Sequence, residues 1–111
     1  MDEVVLLYTT WPDAETAEAA GRAAVEAGVC ACVNVLAPMT SIYRWEGAVE
    51  RATETPMIVK TTAAAAEAAR AFLTERHPYA LPAVVALKVD PAASSAIFLD
   101  WIARESAHDC R

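Results

Sequence analysis

Cys32 to Thr61, CVNVLAPMTSIYRWEGAVERATETPMIVKT, is the stretch that decides the fold. Its two ends are apolar and rich in β-branched residues, and Glu46-Gly47 in the middle is a turn signal between extended segments. The whole reads as one β-hairpin, far longer than the roughly 5–6 residues per strand of an ordinary one. Centring the turn on Gly47 sets Pro38 level with Pro56, and proline cannot donate to a ladder, so both strands are expected to break at that height. The breaks divide the hairpin into a base, residues 33–37 with 57–61, and a projecting arm, residues 39–55.

Working outward, the apolar run that enters the hairpin begins at Cys30 and ends at Ala37. Upstream, Val4-Val5-Leu6-Leu7-Tyr8 is a short apolar strand ending before Trp11-Pro12. Asp13 then stands at an N-cap position. Glu15, Glu18, Arg22 and Glu26 recur at helical spacing opposite Ala17, Ala20, Gly21, Ala24 and Val25, and Gly28 closes the helix. Downstream, Thr62 caps an alanine-rich helix over 63–76 that His77-Pro78-Tyr79 stops. Val84 to Val89 is a fourth strand, and Ser95 to Glu105 a short last helix with Ile97, Phe98, Trp101 and Ile102 at i, i+1, i+4 and i+5. The order is β-α-β-β-α-β plus a terminal helix. The fold class is therefore α+β, a ferredoxin-like βαββαβ sandwich with a long hairpin and a C-terminal helix, in one domain over residues 1–111.

Right-handed crossovers put both long helices on one face of such a sheet and leave the other open. Alternation assigns Val33, Val35, Met57, Val59, Val85, Leu87 and Val89 to the helix side. Cys32, Asn34, Leu36, Ile58, Lys60, Val84, Ala86 and Lys88 fall to the open side, joined by residues of the first strand. Some six large apolar side chains would then meet water at about 1.5–3 kcal/mol each, roughly 10 kcal/mol together. A domain's whole stability is only about 5–15 kcal/mol. The arm, at about 3.3 Å per residue, extends roughly 20 Å with Ile42, Tyr43, Trp45 and Val49 and no core of its own. Both features predict a homo-oligomer in which sister chains cover the face and the arm.

Composition bounds the remaining choices. Of the 111 residues 56% are hydrophobic, but 26 are alanine, so large core formers are nearer a third of the chain. That suffices for a globular core. No apolar run is long enough to span a bilayer, and Met1-Asp2-Glu3 lacks the basic region of a signal peptide, so neither a membrane nor an export address is expected. A net charge of −6 with scattered basic residues repels a phosphate backbone, which argues against nucleic acid as a partner. Three cysteines at these spacings suggest free thiols in a reducing, cytoplasmic setting.

Among candidate site residues, His77 is either an imidazole facing a cleft, suited to a divalent metal, or a helix-terminal group complementing the dipole. Cys30 and Cys32, at i and i+2, point to one side of a strand as a soft-metal pair or serve as small buried hydrophobes, Cys32 being the thiol candidate. His108, Asp109 and Cys110 place three donors in a tail. Trp45, Glu46, Glu50 and Lys60 either line an intersubunit cleft or form a solvated hairpin tip with Lys60 salt-bridged at an interface. No nucleophile elbow or metalloprotease motif is present, and Gly21, Gly28 and Gly47 stand singly, so neither a catalyst nor a phosphate-cradling loop is indicated.

The chain resembles the CutA family of divalent-cation tolerance proteins over residues 4 to about 105. The residues that carry the likeness are Thr10-Trp11-Pro12-Asp13, Ala31-Cys32-Val33-Asn34, Thr40 through Gly47, Ile58-Val59-Lys60-Thr61, and His77-Pro78-Tyr79 followed by Pro82. The resemblance implies a ferredoxin-like subunit in a tight homotrimer built through the hairpin, with a link to copper and other divalent cations and no obligatory cofactor. It adds Tyr79 to the cleft residues. In the family's bacterial copper pattern a Cys ends the first strand and two adjacent His precede Pro-Tyr; here those positions hold Thr9, Arg76 and His77, so His77 alone remains. The implied function is a non-enzymatic response to metal ions with weak metal or small-ligand binding between subunits. The alternatives are a signalling module resembling the trimeric PII proteins and a trimeric scaffold.

Overall fold

The structure, a computed structural model, describes residues 3–106. Strand β1 (Val4–Trp11) leads into helix α1 (Ala14–Glu26), then β2 (Cys32–Val35), β3 (Met39–Trp45), β4 (Ala48–Thr62), helix α2 (Ala63–Glu75), β5 (Val84–Lys88) and helix α3 (Ala96–Glu105). The strands lie in the order β2-β4-β1-β5 with antiparallel neighbours, and β3 pairs with the outer half of β4. Taking β2 and β3 as parts of one interrupted strand gives the ferredoxin-like order expected from the sequence. The helix starts also agree, because each is set by local cap chemistry. Asp13 Oδ1 accepts from the Thr16 amide at 2.8 Å, Thr62 Oγ1 from Ala65 at 3.2 Å and Ser95 Oγ from Phe98 at 3.3 Å.

Only one of the two prolines interrupts its strand. β4 passes through Pro56 for 15 residues, and the Pro56 carbonyl accepts from the Leu36 amide at 2.9 Å. Across from it, Val35 pairs with Met57 but Met39 pairs with Glu54, so three residues face two. This is a bulge, and it absorbs the proline on one strand alone. The arm beyond closes at Glu46 (φ 49°) and Gly47 (φ 84°), the two positive-φ residues that a type I′ hairpin turn requires.

The core lies between the sheet and α1 and α2, with Leu7, Trp11, Met57, Val59 and Leu73 packed against Ala17, Ala20 and Ala24. A Cβ on Gly21 would stand 2.8 Å from both Met57 Sδ and Val33 Cγ2, so glycine is what lets α1 lie this close to the sheet. Val25, expected on that inner face, is exposed instead.

The expected side assignment of β5 is reversed. Ala86 pairs with Leu7 and Val84 with Thr9, whose side chains are buried, so Val84 and Ala86 take the helix side. Val85 and Leu87, about half exposed, join Leu6, Tyr8 and Ile58 on the open face. An all-apolar strand fixes its own alternation but not its phase against a neighbour; the register with β1 does that. The open face is thus more apolar than the sequence suggested. It is also covered at one end, where α3 seats Ile102 against Val4 and Ala31 with Leu99, Trp101 and Val89 around it. Ile97 is exposed, whereas Phe98, partly exposed, stacks on Trp101.

Candidate functional site

At the root of the arm, β1 carries Thr9, Thr10 and Trp11 past the bulge to pair with Met57, Pro56 and Thr55. Thr9 Oγ1 donates to the Met57 carbonyl at 2.8 Å and accepts from Trp11 Nε1 at 2.7 Å. His77, just past α2, stacks on Trp11 with ring centroids 4.1 Å apart. Its Nε2–H donates to the Thr10 carbonyl at 2.7 Å, and Nδ1 accepts from the Tyr79 amide at 3.2 Å. This pairing requires the neutral imidazole with its proton on Nε2.

This geometry sets what a metal would meet at His77. Both ring nitrogens are engaged, so a metal reaches Nδ1 only by displacing the Tyr79 amide. Thr9 is committed to the β-ladder, and the Arg76 guanidinium lies 3.6 Å over the Phe72 ring. Among the described residues no three His, Cys, Asp or Glu side chains are grouped to hold a metal ion. His108, Asp109 and Cys110 lie outside the described residues.

The five proposed cleft residues occupy three separate places within one chain. Trp45, Glu46 and Glu50 are at the exposed arm tip. Tyr79 is at the arm root, its ring 4.8 Å from His77. Lys60 is ten residues down β4 from Glu50, beside Leu6 and Cys32, with Nζ 5.2 Å from the Phe98 ring centre. A single chain forms no cleft from them, because a hairpin keeps its tip and base apart; only sister chains would unite them.

Sequence reading missed a cluster around Tyr79. Burial and the nearby Glu54 carboxylate push its phenol above the ordinary value, with Tyr43 and Asp13 adding to the effect. The signal for this root was Thr9 and Trp11 at i, i+2 before a proline, but Thr9 bonds to Met57, 48 residues away, and Thr10 to His77, 67 away.

The two thiols differ in environment. β2 begins only at Cys32, so Cys30 turns into the core, and burial pushes its thiol up to about 12. Cys32 is half-buried at the sheet edge, raised by burial and drawn back by Lys60. After burial, Cys32 is the second contribution to the rise at Cys30, so each thiol lies in the other's field. From the ordinary 9.0 to about 12, the Cys30 thiolate fraction at pH 8 falls about 1,000-fold, so alkylation of Cys30 is expected to lag an unstructured thiol by that factor. Mass-spectrometric labelling checks it, and equal rates at Cys30 and in the urea-unfolded chain would contradict this packing. The unfolded chain also sheds this proton from about pH 9 and the native one only near 12, so stability declines across that window by up to about 1.4 kcal/mol per pH unit.

A shallow groove of about 420 Å³ runs between α1 and the free edge of β2, lined by Glu18, Arg22, Glu26, Cys32, Val33 and Val35.

The profile of the CutA1 divalent ion tolerance protein matches residues 5–105. The chain belongs to this CutA1 family. It is 40% identical over 102 residues to the divalent-cation tolerance protein CutA of Thermus thermophilus, covering 92% of this chain and 95% of that one. It is 35% identical over 95 residues to protein CutA of Homo sapiens, covering 86% of this chain but 52% of the human protein, about half its length. The solved PII-like protein CutA from Nostoc sp. PCC 7120 superposes with a TM-score of 0.85 at 33% identity, covering 92% of this chain and 96% of that one. The CutA1 match fits the sheet, the arm and the α+β order already described. No helix among the described residues is long and apolar enough to cross a membrane.

Proposed function

We propose that the chain is a non-enzymatic, cytoplasmic homotrimer acting in the response to divalent metal ions, with weak copper, other divalent-cation or small-ligand binding in clefts between subunits. The open sheet face carries this reading: Leu6, Tyr8, Ile58, Val85 and Leu87 form an apolar surface with a coreless arm beside it, and exposed area of this kind marks an interaction site. Sister chains would cover the face and bring Trp45, Glu46 and Glu50 of one copy toward Lys60 or Tyr79 of another. His77 joins as a metal ligand by exchanging the Tyr79 amide for the ion at Nδ1, which keeps affinity low. Calorimetric titration of chelator-free protein with Cu(II) and Zn(II) tests this. His77→Ala, checked for an unchanged circular dichroism spectrum, is expected to weaken binding about tenfold or more; superimposable isotherms would remove His77 from the site.

A second reading, a PII-like small-molecule signalling module, is favoured by the likeness to the Nostoc PII-like protein. Single glycines make a nucleotide loop unsuitable, so organic acids are the better probes. A rise in melting temperature specific to one compound supports it.

A further inference from the structure

Residues 78–82, between α2 and β5, have almost nothing holding their backbone. Pro78 and Pro82 have no N–H to give, which leaves the amides of Tyr79, Ala80 and Leu81. Among the described residues, the one hydrogen bond to this backbone runs from the Tyr79 amide to His77 Nδ1, at 3.2 Å. Ala80 and Leu81 are exposed. Tyr79 is also where three other elements meet: the Glu54 carboxylate of β4, the Tyr43 phenol of β3 and the Asp13 carboxylate ahead of α1 all bear on its phenol.

That one bond ends on the atom a metal ion needs. The imidazole is buried, stacked on Trp11 and fixed by its Nε2–H on the Thr10 carbonyl at 2.7 Å. A backbone carbonyl on the far ring N–H is the usual support of a metal-bound histidine, because it sets the tautomer that offers the other nitrogen as a lone pair. His77 therefore holds the ligating tautomer before any ion arrives, and its partner at Nδ1 is the Tyr79 amide. One lone pair serves one partner, so ion and amide exclude each other.

We infer that residues 78–82 are a strap that His77 holds without metal and releases when a divalent cation occupies Nδ1. The Tyr79 amide then turns to water, while the imidazole keeps its place through Thr10 and Trp11. A released strap carries Tyr79 away from Glu54 and Tyr43, so occupancy of His77 is passed to the root of the arm. The coupling is reciprocal: whatever loosens the strap tightens the metal, by the same factor. This deepens the metal-binding reading above and rests on it.

Amide hydrogen exchange of the full, chelator-free chain, resolved by NMR with and without Zn(II), tests the strap; Zn(II) is diamagnetic and redox-silent. Saturation is expected to quicken exchange at Tyr79 about fivefold or more and to leave Ala69 and Leu73 in α2 unchanged. His77→Ala, which removes the acceptor, is expected to show the quickened Tyr79 rate without metal and no response to Zn(II). Tyr79→Pro removes the competing N–H at an exposed position, so calorimetry is expected to show Zn(II) bound about fivefold more tightly than by the parent. His77-dependent binding with unchanged Tyr79 exchange overturns the strap and leaves His77 as a ligand. Zn(II) affinity in Tyr79→Pro that is unchanged or weaker overturns the exchange of partners at Nδ1, and decides the matter should His77→Ala fail to fold. No binding of Zn(II), or equal binding by parent and His77→Ala, overturns the metal-ligand reading of His77 and the strap together.

Discussion

Trp11→Ala is expected to destabilise the chain by about 3–5 kcal/mol at fixed subunit concentration, read from the urea unfolding midpoint. Trp11 is wholly buried, its indole donates to Thr9, and its ring carries the His77 stack. Removing it leaves a large void in the core and takes away one wall of the His77 site. The loss is expected to spread, because His77 holds the Tyr79 amide and the Thr10 carbonyl, and β1 pairs Trp11 with Thr55 where the arm leaves the sheet. Hydrogen exchange should therefore quicken at Tyr79 and at the arm root before it does in α2. Trp11→Phe separates the two contributions, since it keeps a stacking ring but leaves Thr9 without its indole donor. Thr9 Oγ1 still has the Met57 carbonyl, so a cost of about 1–2 kcal/mol is expected. A loss under about 1 kcal/mol in the alanine variant would show that the root is not the structural keystone described.

The parts of this fold legible in the sequence are those whose physics is local. Asp13, Thr62 and Ser95 name the helix starts because a cap acts over three residues. Gly47 names the arm turn because glycine takes a positive φ without steric cost. The bulge at Leu36–Pro38 was not legible, since two prolines at one height give equal reason to break either strand, and the Leu36 bond to Pro56 decides it. The phase of β5 was hidden for the same reason. Val84-Val85-Ala86-Leu87 is apolar in both alternations, and only pairing with β1 distinguishes them.

The site followed the same rule. His77 stood out as a residue type, but its role depends on Thr10, 67 positions away, and on Trp11, neither of which spacing can bring to it. Trp45, Glu46, Glu50 and Lys60 were grouped because one hairpin contains them. That same hairpin holds them apart within a chain, so a cleft made of them would need the proposed sister chains.

Val85→Asp with Leu87→Asp is the change expected to separate folding from assembly most sharply. With the phase seen here, both carboxylates emerge on the open face and find water in the isolated chain. Far-ultraviolet circular dichroism should therefore be retained, while two charges buried against a sister copy are expected to raise the dissociation constant at least about 100-fold, some 3 kcal/mol. The neighbouring change gives the opposite result. Val84 packs against the core cluster and pairs with the buried Thr9, so Val84→Asp places a carboxylate at that cluster and is expected to cost about 2–4 kcal/mol of folding stability. If the sequence-based phase were right, the outcomes would exchange: the Val85 and Leu87 pair would unfold the chain, and Val84→Asp would be silent in folding. One residue of register thus decides whether a charge breaks a subunit or only its contacts. The two measurements together test the apolar face on which the proposed oligomer and its clefts rest.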